Sequence, residues 1–275
     1  MALGRLRKLP QTCLRFLESK MALDRNIHIK SPAEVVLMRE AGRVDALALA
    51  AVRELLQPGV TTADLNAAAE EVLRKHGAYS PFKNYGHPPF PGSICASVNE
   101  ELVHGIPGKR KLKEGDIISI DCGAVVEGYV GDAAFTAGIG EISPEAGKLI
   151  EATQQALHVG IAMMRAGNKT GDISAAIQQF VEAQGFQVVR EYTGHGVGRE
   201  MHEGPQVPNY GTPGTGVLLQ PGMTIALEPM VLVGTHRTRI LSNQWTVVSA
   251  DGSLTAHQEH SVAVTEGDPL VLTVP

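Results

Sequence analysis

Asp121 and Asp132 are the first residues of this chain whose types and spacing suggest chemistry. Residues 117–126 read as an apolar strand and 129–135 as its return, with Glu127-Gly128 a two-residue turn between them. That turn would pair Val126 with Tyr129, and therefore Gly123 with Asp132. Asp121 would then share one face of the hairpin with Asp132, roughly 7 Å away at Cα. Two carboxylates that close repel, and apolar surroundings raise the cost of charging both. No Lys or Arg lies within the hairpin. A divalent cation is the economical counter-charge, because hard cations take carboxylate clusters; a salt bridge from elsewhere, or solvent exposure, is the alternative.

Three histidines and two acids extend the set. His195 lies in Thr193-Gly194-His195-Gly196-Val197-Gly198, where glycines let the backbone approach other groups closely. His202 follows in Met201-His202-Glu203, and His104 sits in Val103-His104-Gly105-Ile106-Pro107. A lone histidine is most often structural or exposed, although it is also a common metal ligand. Glu228 ends an apolar strand just before Pro229. Glu259 lies in His257-Gln258-Glu259-His260, ahead of the apolar Ser261-Val262-Ala263-Val264. An acid beside an interior strand is costly unless paired; otherwise Glu259 is a surface acid at a strand end.

The elements that must position these groups repeat. Ser31-Pro32-Ala33-Glu34 is a capping box with proline at the first helical position, predicting a helix to about Leu56. A second helix is predicted from Thr61-Thr62 to His76-Gly77. Ser143-Pro144-Glu145 opens a third, to about Arg165, and Thr170-Gly171-Asp172 a fourth, to Gly185. Gly59, Asp64 and Gly77 recur as Gly167, Asp172 and Gly185, in each case 108 positions on, and Gly86-His87 as Gly194-His195. Residues 114–121 match 221–228 at an offset of 107, each a glycine turn and apolar strand ending in a carboxylate. So constant an offset argues for duplication, with a period too long for a solenoid. It predicts two halves, each helix–helix–strand–strand, packed as one α+β domain with the site in the cleft between them.

Composition narrows the function. The 275 residues are 43% hydrophobic and 19% charged, enough for a full-sized core. A net charge of −5, with no long basic run after residue 30 apart from Lys109–Lys113, disfavours nucleic acid as the main partner. No apolar run approaches the ~18 residues of a membrane span. Cys13, Cys95 and Cys122 are odd in number and widely spaced, which speaks against a disulfide framework and for a reducing compartment. In residues 1–20, five basic side chains face a single acid, Glu18. They read as a flexible tail or an early start ahead of Met21, with a transit peptide as the other reading. The expected organisation is a basic extension over 1–26 and one catalytic domain over 27–275.

On these pieces the chain resembles the methionine aminopeptidases of type I. The matching segments are Asn99-Glu100 with His104-Gly105-Ile106-Pro107, Asp121 to Asp132, Gly194–Gly198, His202–Val207, Glu228-Pro229-Met230 and Glu259-His260. The resemblance spans about residues 27 to 265. It implies the pita-bread fold, with two pseudo-symmetric ααββ halves around a central, largely antiparallel sheet. It implies two divalent ions (Co, Mn, Fe(II) or Zn), with Asp132 and Glu259 bridging, Asp121 on one ion, and His195 and Glu228 on the other. Glu228 would shuttle the proton. His202 would hydrogen-bond the scissile carbonyl, and His104 would contact the substrate backbone or the leaving nitrogen. Phe90, Cys95, Met201 and Trp245 would form the pocket for the first side chain. Two positions depart from the pattern: His87 stands where tyrosine is familiar, and Met201 where an aromatic is common. His260 is expected to support the ligands, and His257 to be structural or exposed.

The implied activity is removal of the first methionine from nascent proteins, with a small second residue preferred. The type I form fits because no long helical insertion precedes the final strands and no zinc-binding extension is present. A cytoplasmic enzyme is expected, or an organellar one if residues 1–20 are a transit peptide. Monomer is the default, and transient ribosome association is compatible with the substrate. The alternatives are an Xaa-Pro aminopeptidase or prolidase on the same fold, and a binding module of that fold that has lost its metals.

Overall fold

The computed structural model describes residues 26–275, so the basic extension expected over 1–26 lies almost wholly outside the described residues. Four long helices form where capping chemistry places them. Helix α1 (Pro32–Glu54) starts on Ser31, whose hydroxyl accepts from Glu34 N while the Glu34 carboxylate takes Ser31 N–H. Helix α2 (Thr62–Lys75) repeats the arrangement with Thr61 and Asp64. Helix α3 (Pro144–Ala162) is capped by Ser143, and in α4 (Thr170–Ala183) Asp172 accepts from Lys169 N. Helices α1 and α3 end two and three residues before the expected Leu56 and Arg165. There the chain tightens into i→i−3 bonds, Leu55 N to Val52 O and Met163 N to Gly160 O.

The duplication is real in three dimensions. Helices α2 and α4 each have 14 residues. Gly59 and Gly167 precede them, both at φ +93, donating to Leu112 O and Leu219 O. Matched bridges, Thr61 to Lys111 and Lys169 to Leu218, follow. One part of the expected repeat fails: His87 lies in an irregular, exposed loop, whereas His195 is on a strand. The counterpart of that strand is Ile94–Val98, which flanks the first hairpin as His195's strand flanks the second carboxylate-ending strand. The Gly-His pairs therefore match in letters only.

The strands of the main sheet are β1 (Ile94–Val98), β3 (Ile117–Val126), β4 (Tyr129–Gly138), β6 (Thr193–Gly196), β7 (Glu203–Pro208), β8 (Thr224–Leu227), β13 (Glu259–Ala263) and β14 (Leu270–Val271). Their order is β1-β3-β4-β13-β8-β6-β7, with β14 on β13, and every strand pair is antiparallel. Small three-stranded sheets, β10 (Thr238–Ile240), β11 (Val247–Ser249) and β2 (Glu101–Val103), and β12 (Thr255–His257), β9 (Met230–Leu232) and β5 (Gln187–Val188), lie beside it.

Strand alternation sorts the side chains. Ile118, Ile120 and Cys122 pack with Val44 and Leu65 of the first helix pair. Ile225 and Leu227 pack with Leu149, Ile173 and Ile177 of the second. The opposite face of the sheet is left to Asp121, Asp132 and Glu259. Among the described residues no helix is long and apolar enough to cross a membrane.

Candidate metal centre

Five neighbouring strands each bring one of the expected ligands to the same place. The two-residue turn forms as predicted: Glu127 (φ 49) and Gly128 (φ 79) both take left-handed backbone, as a type I′ hairpin requires. The register is Val126 to Tyr129, Gly123 to Asp132 and Asp121 to Ala134. Glu259 on β13 stands opposite Ala134, and His260 stands opposite Leu227. That places Glu259 between Asp132 and Glu228, which follows β8 where Pro229 can donate no ladder hydrogen bond. His195 comes from β6, opposite Ala226. Its glycine neighbours are obligatory: a Cβ on Gly196 would sit 1.9 Å from Gly204 O, and one on Gly194 2.8 Å from Ala226 O.

The electrostatics suit a cation. Asp132 and Glu259 are buried, and Asp121 Oδ1, Asp132 Oδ1 and Glu259 Oε1 have no hydrogen-bond partner. Burial first, then mutual repulsion, pushes the carboxyl pKa values of Asp121, Asp132, Glu228 and Glu259 well above the usual range. His195 makes the case sharper. Its Nδ1 lies 2.9 Å from Gly196 O, a group that only accepts, so Nδ1 carries the proton. Burial holds the His195 pKa at about 3, so the ring is neutral and Nε2 presents a bare lone pair. That lone pair faces Glu228 Oε1 at 3.5 Å and Asp132 Oδ2 at 3.9 Å. Acceptors converge on acceptors, and a divalent ion fits between them. The donor atoms of Asp132, His195 and Glu259 lie within 4.8 Å of one another, as do those of Asp121, His257 and Glu259.

His257 corrects the sequence reading. It is not exposed: it is 1% exposed, with Nε2 3.5 Å from both Glu228 Oε2 and Glu259 Oε2. The Thr136 hydroxyl accepts from His257 N at 2.9 Å and donates to His257 O at 2.7 Å, which fixes the ring's approach. His260, expected to support the ligands, instead points to the other face of β13 and bonds Thr273 through Nδ1 at 2.8 Å. The period of a strand held the signal, since residues two apart share a face and adjacent ones do not.

Beside this cluster lies a pocket of about 110 Å³ lined by Phe82, Tyr85, Phe90, Cys95, His104, Asp121, Met201, His202 and Trp245. Every residue expected in the substrate site is present. Phe90 meets Trp245 edge-on at 5.2 Å, and His104 meets Trp245 at 6.0 Å. Burial lowers the His104 pKa to about 4 and moves that of His202 down as well. Burial and the charges of Asp121 and Asp132 push the Cys95 thiol up, so it serves as an apolar wall. Phe82 and Tyr85 were not foreseen. Nor was Asp45 of α1, fully buried behind the sheet with neither oxygen hydrogen-bonded.

A family model for metallopeptidase family M24 matches residues 36–266. The chain belongs to metallopeptidase family M24. Within that family it is 52% identical to a methionine aminopeptidase of Clostridium acetobutylicum over 249 residues, 90% of this chain and 99% of that one. The solved methionine aminopeptidase of Thermotoga maritima superposes with a TM-score of 0.88 at 46% identity, covering 90% of this chain and 100% of that chain. A prolidase of Pyrococcus furiosus superposes with a TM-score of 0.73 at 18% identity, covering 98% of this chain and 74% of that one, a likeness of fold alone. The pita-bread architecture expected from the sequence is therefore the architecture of this M24 chain.

Proposed function

We propose that the chain is a methionine aminopeptidase that hydrolyses the peptide bond after the N-terminal methionine of new proteins. The observation that carries this reading is a converging set of carboxylates and a bare imidazole nitrogen beside a small apolar pocket. An unbranched thioether suits such a pocket, because it is flexible and polarisable and makes favourable contacts with aromatic edges. The prolidase alternative draws support from fold likeness only.

Asp121, Asp132, His195, Glu228 and Glu259 would together hold two divalent ions. Co, Mn, Fe(II) and Zn all accept such an oxygen-rich set with one imidazole. Two such ions supply an acidified water and a Lewis acid for the scissile carbonyl. Glu228 accepts the proton of the attacking water and passes it to the leaving amine. His202 donates to the carbonyl oxygen as negative charge develops on it. His104 stands across the pocket mouth, where the substrate backbone or leaving nitrogen must lie. Phe90, Cys95, Met201 and Trp245 hold the methionine side chain, and the second residue is small. The substrate is a nascent N-terminus, met by a monomer in the cytoplasm in transient association with the ribosome.

The test is release of the first residue from Met-Ala-Ser and Ala-Pro-Ser by enzyme stripped with chelator and reloaded with Mn, Fe(II), Co or Zn. Cleavage of Met-Ala-Ser alone, abolished by Glu228→Ala, is expected. Cleavage of Ala-Pro-Ser instead would move the chain to the proline-specific relatives, and no cleavage of either would leave a binding module.

A further inference from the structure

Tyr85 reaches over the pocket and places its hydroxyl 3.0 Å from His202 Nδ1, with the two rings 5.6 Å apart. Both ends of this bond are held by separate restraints. The loop carrying Tyr85 is closed by Tyr85 N to Phe82 O (2.9 Å), Asn84 N to Phe90 O (2.8 Å) and Phe90 N to Tyr85 O (2.9 Å). Asn84 (φ 69) and Gly86 (φ 73) take left-handed backbone on either side. Gly86 lies so close to the Trp245 ring that a Cβ there would approach it to 2.6 Å, and Trp245 Nε1 donates to Pro88 O at 2.9 Å. On the other side, His202 precedes Glu203, whose carboxylate accepts from buried Lys30 and from Arg199 N and Glu200 N. The backbone on both sides of the contact is thus tied down, while the Tyr85 side chain itself stays 45% exposed.

We propose that Tyr85 is a positioning residue that donates its hydroxyl proton to His202 Nδ1 and thereby fixes His202 as the Nε2–H tautomer. The inference rests on the reading of His202 as the group that meets the scissile carbonyl. A neutral imidazole carries one proton, and the nitrogen bonded to a partner determines where it sits. A phenol is a better donor than acceptor towards a neutral imidazole, so Nδ1 accepts and Nε2 carries the hydrogen. Nε2 is then the nitrogen left for the substrate, and it arrives as a donor. In the opposite tautomer Nε2 would present a lone pair to an oxygen gaining negative charge, and the contact would repel.

The experiment compares wild type, Tyr85→Phe and Tyr85→Leu as zinc-loaded full-length enzyme, a diamagnetic form. Steady-state cleavage of Met-Ala-Ser is measured alongside the long-range nitrogen–proton spectrum of 15N-histidine-labelled protein. In wild type, His202 is expected as Nε2–H. In Tyr85→Phe, which keeps the ring and its packing, kcat should fall about tenfold with KM within about twofold, less than the loss of a whole oxyanion donor. The His202 signals should shift towards a tautomer mixture. If Phe restores full kcat or raises KM alone, Tyr85 is only a wall of the pocket and the proposal is overturned. A wild-type His202 protonated at Nδ1 also overturns it. If wild type fails to cleave Met-Ala-Ser, the functional reading falls, and the tautomer spectrum still decides the role of Tyr85.

Discussion

His195 and His257 both approach Glu228, and they differ in how they are held. His195 Nδ1 is tied to a backbone carbonyl, which leaves Nε2 a bare acceptor, as a metal-ligating imidazole must be. His257 has no hydrogen-bond partner at either ring nitrogen, and its Nε2 sits between Glu228 and Glu259. It can add a nitrogen ligand on the Asp121 side or donate to both carboxylates; either role supports the metals. His257→Ala is expected to weaken metal affinity about 10- to 100-fold, with His257→Gln recovering part of the loss. Competition with a coloured chelator measures this directly, and unchanged affinity would return His257 to a structural role. The Asp121–Asp132 pair was legible from the turn that sets their register, and Glu228 from its place in the repeat; His195 and Glu259 joined them only through the resemblance. His257 was missed, because Gln258 separates two short strands and hides the i, i+2 alternation that puts His257 beside Glu259. Tyr85 was not legible, because nothing in the sequence of its irregular loop shows that the ring folds back onto a histidine 117 positions later.

At the scale of elements, the hairpin of β3 and β4 was readable to the residue because a two-residue turn fixes register. Helix starts were readable from their caps, while helix ends drifted where tight i→i−3 bonds cut them short. The segment between β6 and β7 was not readable, because its anchor is remote: Lys30, ahead of α1, makes a buried ion pair with Glu203. Glu203 also accepts from two backbone amides of that segment and so sets the height of Met201 and His202 over the pocket. Removing one member leaves the other buried and unpaired. Lys30→Ala is therefore expected to destabilise the fold by about 3–5 kcal/mol and to lower kcat on Met-Ala-Ser. Urea unfolding and steady-state rates measure the two effects; a loss under 1 kcal/mol would show that the pair is solvated. Lys30→Arg should recover part of each.

Across the whole molecule, the metals are expected to fasten one half to the other. Asp121 and Asp132 belong to the first half, and His195, Glu228 and Glu259 to the second. Without ions the four carboxylates keep pKa values raised above their unfolded 3.8–4.5, and so does Asp45. The folded state then holds more protons than the unfolded one, so stability is full at low pH and is lost as pH rises through the raised values. His195 and His257, held at about 3, oppose this only below their unfolded 6.5, where they resist a charge that the unfolded chain accepts. The metal-free protein should therefore lose stability as pH rises above the unfolded carboxyl values, by about 1.4 kcal/mol per pH unit for each proton released on unfolding. Asp45→Val should flatten the slope. Saturating metal should remove most of it and raise stability by about 2.7 kcal/mol at a hundredfold excess over Kd. Urea midpoints across a pH series, with and without ions, test this; a flat metal-free profile would mean that the cluster is solvated.

Strand β13 lies in the middle of the sheet, yet among the sheet strands only β14 follows it in the chain. As the polypeptide leaves the ribosome, β4 and β8 must therefore wait, each with one edge unsatisfied, until residues 259–263 emerge to close the gap. Contacts of such long sequence separation form slowly, and unpaired edges invite partners from other chains. A product that stops short of Glu259 would thus lack one of the converging carboxylates and also carry two adhesive margins. Incomplete synthesis should yield aggregate rather than a weak enzyme.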